Sequence, residues 1–492
     1  MKIFGFFAAF TLVCFAFSTS ARAVVPPPDG GYPNFTTAEG QNALHSLTTG
    51  AANTALGAYS LFGTTTASFN TAVGAGALDL NTGDQNTAIG VAALLLNNGT
   101  NNTAVGIDAL GLNDTAEENT ATGAFAMYSN TGGNFNTANG AFTLYFNTTG
   151  ERNTAMGDSA LYLNTTGSRN TAIGNPALVN NTTGSDNTAI GASALLSNTT
   201  GERNNAMGQG ALSSHVTGNF NNAFGALALV ADTSGTGNDA FGDAVLASNT
   251  TGLQNTAMGD NALSLNTTGN SNAAFGQGAL SHNTTGSINT AIGRFALDSL
   301  TTGSGNVALG QSAGTAVTTA DNVIAVGTAG QNVSNSCFIG HIFGETSSGG
   351  VGVVVNSDGK LGTSASARRF KKEIKPMDKT SEAILALEPV TFRYKSDSAN
   401  IPQFGLIAEE VEKVDPDLIA RDKNGEIYTV RYEAVNAMLL NEFLKEHRHI
   451  QEQDATIARL QKQVETLTAG LQKVSAQQEV RKAARQTVLN NQ

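Results

Sequence analysis

The stretch NTAMGDSALYLNTTGSR, residues 153–169, is one copy of a 17-residue pattern that fills most of this 492-residue chain. The pattern reads N-T-A-x-G-x-x-A-L-x-x-N-T-T-G-x-x, and we number its positions 1 to 17 from the first asparagine. Successive copies begin at residues 53, 70, 86, 102, 119, 136, 153, 170, 187, 204, 221, 238, 255, 272, 289 and 306, so that only two early steps are 16 residues long. A short fixed period is typical of stacked units that cannot bury an apolar face alone.

The residues of each copy predict one coil of a rod. Position 4 is usually large and apolar and positions 8 and 9 are mostly Ala-Leu, so we expect these three side chains to form the core. Position 5 is glycine in all sixteen copies, which predicts a turn with a positive φ angle, and the glycine at position 15 predicts a second corner. We therefore predict a β-solenoid, with a strand at N-T-A-x and a strand or single helical turn at x-x-A-L. Equivalent asparagines would stack as hydrogen-bonded ladders, and an atypical first coil would begin at Thr36.

The composition changes near Lys360, because lysine is absent from residues 3–359 and frequent afterwards. Just beyond this boundary, Ser366 and Lys371 stand five residues apart in the stretch SARRFKKEI. A serine hydroxyl becomes a good nucleophile only when a neighbour takes its proton, and a lysine can do so only if its pKa lies well below about 10.4. The flanking arginines and lysines place like charge around Lys371, which favours loss of its proton. The alternative interpretation is a basic, solvated strand or loop.

Four ordered runs extend this signal: SARRFKKEIKPM, AILALEPVTFRYK, PQFGLIAEEVEKVDPDLI and YTVRYEAVNAMLLNEFLKE. They resemble the self-cleaving intramolecular chaperone domain of endosialidase tailspikes and related fibre proteins, from Ser366 to about Glu446. The resemblance implies a Ser–Lys dyad in which Ser366 is the nucleophile and Lys371 the base, with the chain cut between Ala365 and Ser366. The family commonly has Asp after the serine, where this chain has Ala367.

Downstream of the dyad the sequence predicts a small α+β domain and a helical tail. Expected elements are helices near 380–387 and 407–414, a strand near 390–394, a hairpin turning at 423–425 and a long helix from about Glu433. Apolar residues then alternate in an a/d heptad pattern over residues 457–474, which favours a coiled coil over a lone amphipathic helix.

The repeats also resemble the head of YadA-type trimeric adhesins, whose shorter units form a trimeric β-roll. Together the two resemblances imply a homotrimer, which agrees with the small number of apolar side chains in each coil. The rod would then offer a surface for a cell-surface or glycan ligand.

The N-terminus has the pattern of a secretion signal. Lys2 is followed by an uncharged apolar stretch, residues 3–17, and then by the small-residue cleavage motif Ala21-Arg22-Ala23. Fifteen residues are too few for a membrane span, which needs about 20. We therefore expect an exported protein, extracellular or at the cell surface, with no membrane span in the mature chain.

Other classes of function find little support in the sequence. The formal net charge of −12 argues against a nucleic-acid partner. Cys14 lies in the signal, so the mature chain keeps only Cys337 and forms no intrachain disulfide. His447 and His449 do not share a face of the predicted helix, so we expect neither a metal site nor a cofactor.

We thus expect an exported fibrous surface protein whose C-terminal domain chaperones trimer folding and then cleaves itself off, a single-turnover serine peptidase. One alternative is a glycan-degrading tailspike-like enzyme, for which Asp243 and Asp260 are the candidates, because they occupy the same position of adjacent coils at a spacing of about 5 Å. Another is an inert structural fibre that does not cleave itself.

The expected domains follow from these patterns. They are a signal peptide (1–23), a flexible lead (24–35), the repeat rod (36–321), a β neck (322–365), the self-cleaving chaperone domain (366–446) and a coiled-coil tail (447–492).

Overall fold

The computed structural model describes most of the chain. The described residues are 33–345, 347–395, 397 and 399–489, with side chains up to residue 486. The expected signal peptide, Cys14 and most of the expected flexible lead lie outside these residues. The contacts of the chain divide it into two compact units, with the division after Glu345.

The first unit is a β-solenoid built on one parallel sheet of nineteen strands. The strands are Thr37–Glu39, Thr54–Leu56, Thr71–Val73, Thr87–Ile89, Thr103–Val105, Thr120–Thr122, Thr137–Asn139, Thr154–Met156, Thr171–Ile173, Thr188–Ile190, Asn205–Met207, Asn222–Phe224, Asp239–Phe241, Thr256–Met258, Ala273–Phe275, Thr290–Ile292, Val307–Leu309, Ile324–Val326 and Cys337–Ile339. At about 4.8 Å per coil, the rod is about 85 Å long.

Equivalent residues of successive coils pair with each other. Thr154 is in register with Thr171, for example, and the first strand pairs with the second in the same way, so the atypical first coil is confirmed. The x-x-A-L side is a turn in most coils, because positions 7 and 9 adopt left-handed backbone conformations, as in Ser159 (φ 59°) and Leu161 (φ 54°). A second short parallel sheet pairs Leu80–Asn81 with Leu96–Asn97.

The core of the rod differs from the expectation at position 4. Ala155, Ala160 and Leu161, at positions 3, 8 and 9, are completely buried, whereas Met156 at position 4 is 43% exposed. Successive residues of a strand point to opposite faces, so the inward alanine at position 3 turns position 4 outward. The prediction that position 4 contributes to the core was therefore wrong, and the true core is narrower.

The predicted asparagine ladders are confirmed at two positions of the coil. At position 1, the backbone N–H of Asn170 donates to Oδ1 of Asn153 at 3.0 Å. At position 12, Nδ2 of Asn164 donates to Oδ1 of Asn147 at 2.7 Å and to the carbonyl of Gly167 at 2.9 Å. Most of these buried amides are thus paired both within their own coil and with an adjacent coil, which satisfies polar groups that would otherwise be costly to bury.

The two glycines of the repeat serve different purposes. At position 5 every glycine has a φ between 116° and 145°, as predicted, which side chains of L-residues rarely tolerate. At position 15 the reason is close approach: a Cβ added to Gly167 would lie 2.4 Å from the carbonyl oxygen of Gly184 in the next coil.

The segment expected as a neck is shared between the two units. Ile324–Val326 and Cys337–Ile339 continue the parallel sheet of the rod. Val353–Val355 and Leu361–Thr363 form an antiparallel hairpin that belongs to the second unit.

The second unit is a small α+β fold followed by a long helix. Its further elements are 3₁₀ helices at Arg368–Phe370, Asp378–Ala386 and Pro416–Leu418, strands at Val390–Phe392, Gln403–Gly405, Ile419–Arg421 and Ile427–Val430, helix α1 at Ala408–Val414 and helix α2 at Tyr432–Leu489. The expected hairpin and both expected later helices are present, and the helix expected near 380–387 is a 3₁₀ helix. The predicted fold class, a β-solenoid followed by a small α+β domain and a C-terminal helix, is confirmed.

This second unit has a small core. Val411, Leu418, Ile419, Val430 and Met438 are its buried apolar side chains among the described residues. They join α1, the hairpin formed by Ile419–Arg421 and Ile427–Val430, and the start of α2, so that the first turns of α2 are part of the domain. Few buried side chains mean a modest gain in hydrophobic free energy.

Substitution at the close-approach glycine tests this description of the rod. We expect Gly167→Ala to lower the stability of the rod by about 1–3 kcal/mol or more, because its Cβ has no space against the neighbouring coil. The matched control is Gly132→Ala, whose Cβ would lie 3.7 Å from Cγ2 of Thr149, an ordinary contact. Thermal unfolding followed by circular dichroism measures both. Equal melting temperatures for the two variants would contradict the close packing of coils at position 15.

Candidate functional site

A single 3₁₀ turn brings Ser366 and Lys371 together. Ala367 is extended (φ −65°, ψ 142°), and the turn Arg368–Phe370 then reverses the chain. The backbone N–H of Phe370 donates to the carbonyl of Ala367 at 2.9 Å, and that of Lys371 donates to Arg368 at 3.1 Å. As a result, Nζ of Lys371 lies 3.1 Å from Oγ of Ser366.

The hydrogen bond between Lys371 and Ser366 runs in the direction expected before any reaction. An ammonium group only donates, so Lys371 donates to the hydroxyl of Ser366. For nucleophilic attack the proton must move the other way, from the hydroxyl to a neutral amine. The chain thus holds the two groups within hydrogen-bond distance.

The surroundings of the pair are open and positively charged. Ala365, Ser366 and Lys371 are all exposed, as are the neighbouring basic residues Arg368 and Lys372. Solvent screens the repulsion among these charges. Exposure also leaves the carbonyl of Ala365 accessible to water and to its neighbours.

A second Ser–Lys contact lies deeper in the same unit, and sequence analysis missed it. Ser381, on the 3₁₀ helix Asp378–Ala386, is completely buried and donates to Oε1 of Glu442 on α2. Lys445 donates to the same carboxylate at 2.7 Å and to Oγ of Ser381 at 3.3 Å, and Nδ2 of Asn441 donates to that hydroxyl at 2.7 Å. The i,i+3 spacing of Glu442 and Lys445 is visible in the sequence, but a partner 61 residues away is not.

This partly buried cluster fits a structural clamp better than a catalytic dyad. The hydrogen bond to Glu442 raises the pKa of Lys445, which favours the protonated amine and opposes a role as a base. The hydrogen bonds from Lys445 and Ser381 lower the pKa of the Glu442 carboxyl. The cluster therefore fastens the 3₁₀ helix that follows the dyad segment to the long helix α2.

The carboxylates of Asp243 and Asp260 accept hydrogen bonds from backbone N–H groups of the rod. Oδ1 of Asp243 accepts from the N–H of Ala226 at 3.0 Å, and Oδ1 of Asp260 accepts from the N–H of Asp243 at 3.3 Å. Both side chains are exposed, and each is bonded to the coil before it. Arg169 and Asp186 occupy the same position of adjacent coils and form an ion pair at the surface of the rod, with 2.6 Å between Nε and Oδ1.

Within the residues that the structure describes, no group of three or more His, Cys, Asp or Glu side chains is placed to hold a metal ion. No helix within this part of the chain combines the length and hydropathy that a membrane crossing requires.

Comparison with known proteins bears on the segment that begins at the dyad. Residues 366–420 match the peptidase family described as chaperone of endosialidase, and the match begins at Ser366. No curated protein and no solved structure matches the chain. A long β-solenoid thus precedes a C-terminal segment that matches the model of the chaperone-of-endosialidase family. This combination fits a tailspike-like or fibre-like protein.

The clamp makes the second unit sensitive to acid. Because the folded pKa of Glu442 lies below its ordinary value of 4.5, its stabilising contribution is present above that value and is lost as the pH falls through the lowered folded pKa. We expect hydrogen-exchange protection of residues 378–386 to decrease over this range, and we expect Glu442→Gln to reduce that pH dependence. The control is Glu479→Gln, which affects only an exposed pair with Lys482 on the same helix. An unchanged pH profile in Glu442→Gln would exclude the clamp as the acid-sensitive contact.

Proposed function

We propose that the chain is an exported, homotrimeric fibre protein whose C-terminal domain chaperones trimer folding and then cuts itself off between Ala365 and Ser366. The observation that carries the proposal is the 3.1 Å contact between Lys371 and Ser366, at the first residue of the segment that matches the chaperone family. The products would be a rod that ends at Ala365 and a released piece of 127 residues.

The chemistry of the cut uses groups of one short segment. The hydroxyl of Ser366 attacks the carbonyl carbon of Ala365 while Lys371 accepts the hydroxyl proton. The peptide nitrogen leaves with a proton from Lys371, so that the new ester joins the carbonyl of Ala365 to Oγ of Ser366. Water then hydrolyses the ester. An intramolecular attack of this kind requires only the correct placement of the reacting groups.

The timing of the cut would depend on assembly. In a single chain both side chains of the dyad are exposed to water. If neighbouring chains cover this segment, desolvation and the nearby Arg368 and Lys372 would favour the neutral amine. Cleavage would then follow trimer formation, and the chaperone would leave only a finished rod.

Exposed apolar surface on the second unit supports self-association. On α2, the a/d side chains Ile457, Leu460, Val464, Leu467 and Leu471 are between 50% and 75% exposed. Such a row on a 58-residue helix is typical of a coiled-coil seam that lacks its partners. The small core of this unit would gain from the same contacts.

The rod offers a second surface for contact between chains. Position 4 forms an apolar stripe along the outer face of the parallel sheet, since its side chains are more than a third exposed in many coils. Members of this stripe are Leu56, Ile89, Met156, Ile173, Met207, Met258, Phe275, Ile292 and Leu309. A long exposed apolar stripe is rare on monomeric soluble proteins. Burial of this stripe in a trimer would compensate for the narrow core of each coil.

The cleavage proposal predicts the behaviour of two variants. Ser366→Ala removes the nucleophile and Lys371→Arg keeps a charge that cannot be lost, so both should remain uncut while the unaltered chain yields the 127-residue piece. Intact-mass measurement of the purified protein detects the fragments.

The matched control is Lys372→Arg, which changes the neighbouring lysine and should still be cut. A Lys371→Arg protein that is cut between Ala365 and Ser366 at the normal rate would show that the dyad assignment is wrong.

Trimer formation is predicted to depend on the seam of α2. Light scattering of the Ser366→Ala protein should give the mass of three chains. Adding Leu467→Glu, at a d position, should reduce this mass, because it places charge in an apolar seam. Ala469→Glu, two residues further on at an outward position, is the control and should leave three chains. A monomer or dimer mass for the Ser366→Ala protein itself would refute the trimer.

A further inference from the structure

Two successive coils of the rod break the asparagine ladder at position 12. The break places His215 in one coil and Asp232 in the next. Both side chains have no exposed surface, and within the described part of the chain they are the only ionisable side chains in the buried set. Burying a charged side chain is costly unless it is paired, so this substitution requires a reason.

The two side chains form one hydrogen-bonded unit. Nδ1 of His215 lies 2.6 Å from Oδ2 of Asp232, and Nε2 lies 2.7 Å from the carbonyl oxygen of Gly218. On the other side, Nδ2 of Asn249 donates to Oδ1 of Asp232 at 2.8 Å. These contacts are all satisfied when His215 carries both ring protons and Asp232 is ionised. The pair is then a completely buried ion pair.

The pair also interrupts the ladder. In the coils before and after it, each asparagine at position 12 donates to Oδ1 of the preceding coil, as Asn198 does to Asn181 at 2.8 Å. His215 makes its side-chain contact with Asp232 of the following coil, which leaves Oδ1 of Asn198 without a hydrogen-bond partner. The arrangement works only if the histidine coil is followed directly by the aspartate coil.

The rest of the core is nearly uniform from one coil to another. Position 3 is a buried alanine and position 9 a buried leucine in most coils, and position 1 is asparagine in all sixteen copies. A coil could therefore stack on a later copy, with one copy looped out, and still satisfy nearly all of its buried contacts.

We propose that the His215–Asp232 pair is a register lock in the rod. Stacking coil 204–220 on any coil other than 221–237 would bury the imidazolium or the carboxylate without its partner, and such errors are strongly destabilising. The pair lowers the chance of a mis-stacked fold at the cost of one unpaired amide oxygen. This inference rests on the rod alone and depends on neither cleavage nor trimer formation.

A comparison of single and double variants tests whether the two charges are paired. His215→Asn alone leaves Asp232 buried without a cation, and Asp232→Asn alone leaves the histidine without an anion. Each should lower the ratio of folded to unfolded protein by on the order of a hundredfold or more. The double variant restores an asparagine at both positions and should lie within about tenfold of the unaltered protein. Single variants as stable as the double variant would overturn the proposal.

Cysteine probes report the register itself. In the full chain with both native cysteines replaced by serine, Ser214→Cys is combined either with Ala231→Cys in the next coil or with Ser248→Cys two coils away. Neighbouring coils are about 4.8 Å apart, within the Cα distance that a disulfide spans, whereas two coils are about 10 Å apart and out of reach. The 214/231 pair therefore reports the native register, and the 214/248 pair reports a slip of one coil.

After refolding from denaturant, the protein with the lock should form the 214/231 disulfide and no 214/248 disulfide. The His215→Asn/Asp232→Asn variant should form the 214/248 disulfide in a measurable fraction of molecules. Hydrogen-exchange mass spectrometry should find coil 221–237 unprotected in the same fraction, which provides a readout that does not depend on cross-linking.

The control is a probe at a step where both coils carry asparagine. Leu163→Cys with Ser197→Cys spans two such steps, and its signal should be the same with and without the lock. A refolded double variant with no 214/248 disulfide and with uniform protection would show that the pair does not set the register.

Discussion

The rod depends on the side-chain amides of its asparagines. At positions 1 and 12 each amide is completely buried and takes part of its hydrogen bonding from the adjacent coil, as Asn164 does from Asn147. A single coil would leave these groups unpaired, so coils are stable only as a stack. The same requirement explains why the core needs no more than two alanines and a leucine, and why non-glycine residues such as Leu161 hold a left-handed conformation that costs about 1–3 kcal/mol elsewhere.

The repeat made much of this predictable, because a ladder and a turn recur at fixed intervals that can be counted in the sequence. The assignment of position 4 to the core failed for a local reason. Alanine at position 3 and a larger residue at position 4 are both apolar, and in a three-residue strand only the phase decides which one faces inward. The larger side chain at position 4 suggested that this position forms the core. The buried residue is instead the alanine at position 3, as in Ala155.

In the second unit, contacts between residues close in the sequence were easier to predict than contacts between distant residues. Ser366 and Lys371 meet across one turn of 3₁₀ helix, so this contact joins residues that are close in the sequence, and the four runs that follow drew attention to the pair. Ser381 meets Glu442 across 61 residues, and nothing in either segment indicates the other. His215 and Asp232 lie between these two cases. The sequence shows that both residues replace an asparagine of the ladder, but only the structure shows that they are buried and in contact.

Because the coils are nearly uniform, the number of copies sets the length of the rod. Because almost every copy binds the next through the same contacts, adding or removing a whole copy away from the His215–Asp232 step changes the reach of the rod by about 4.8 Å and leaves the remaining interfaces intact. The two 16-residue steps show that the loss of a single residue is accommodated at the turn after position 12. Other changes that are not whole copies would misalign the ladders. Reach can therefore vary in whole coils, by recombination between copies, while the domain that follows the rod stays unaltered.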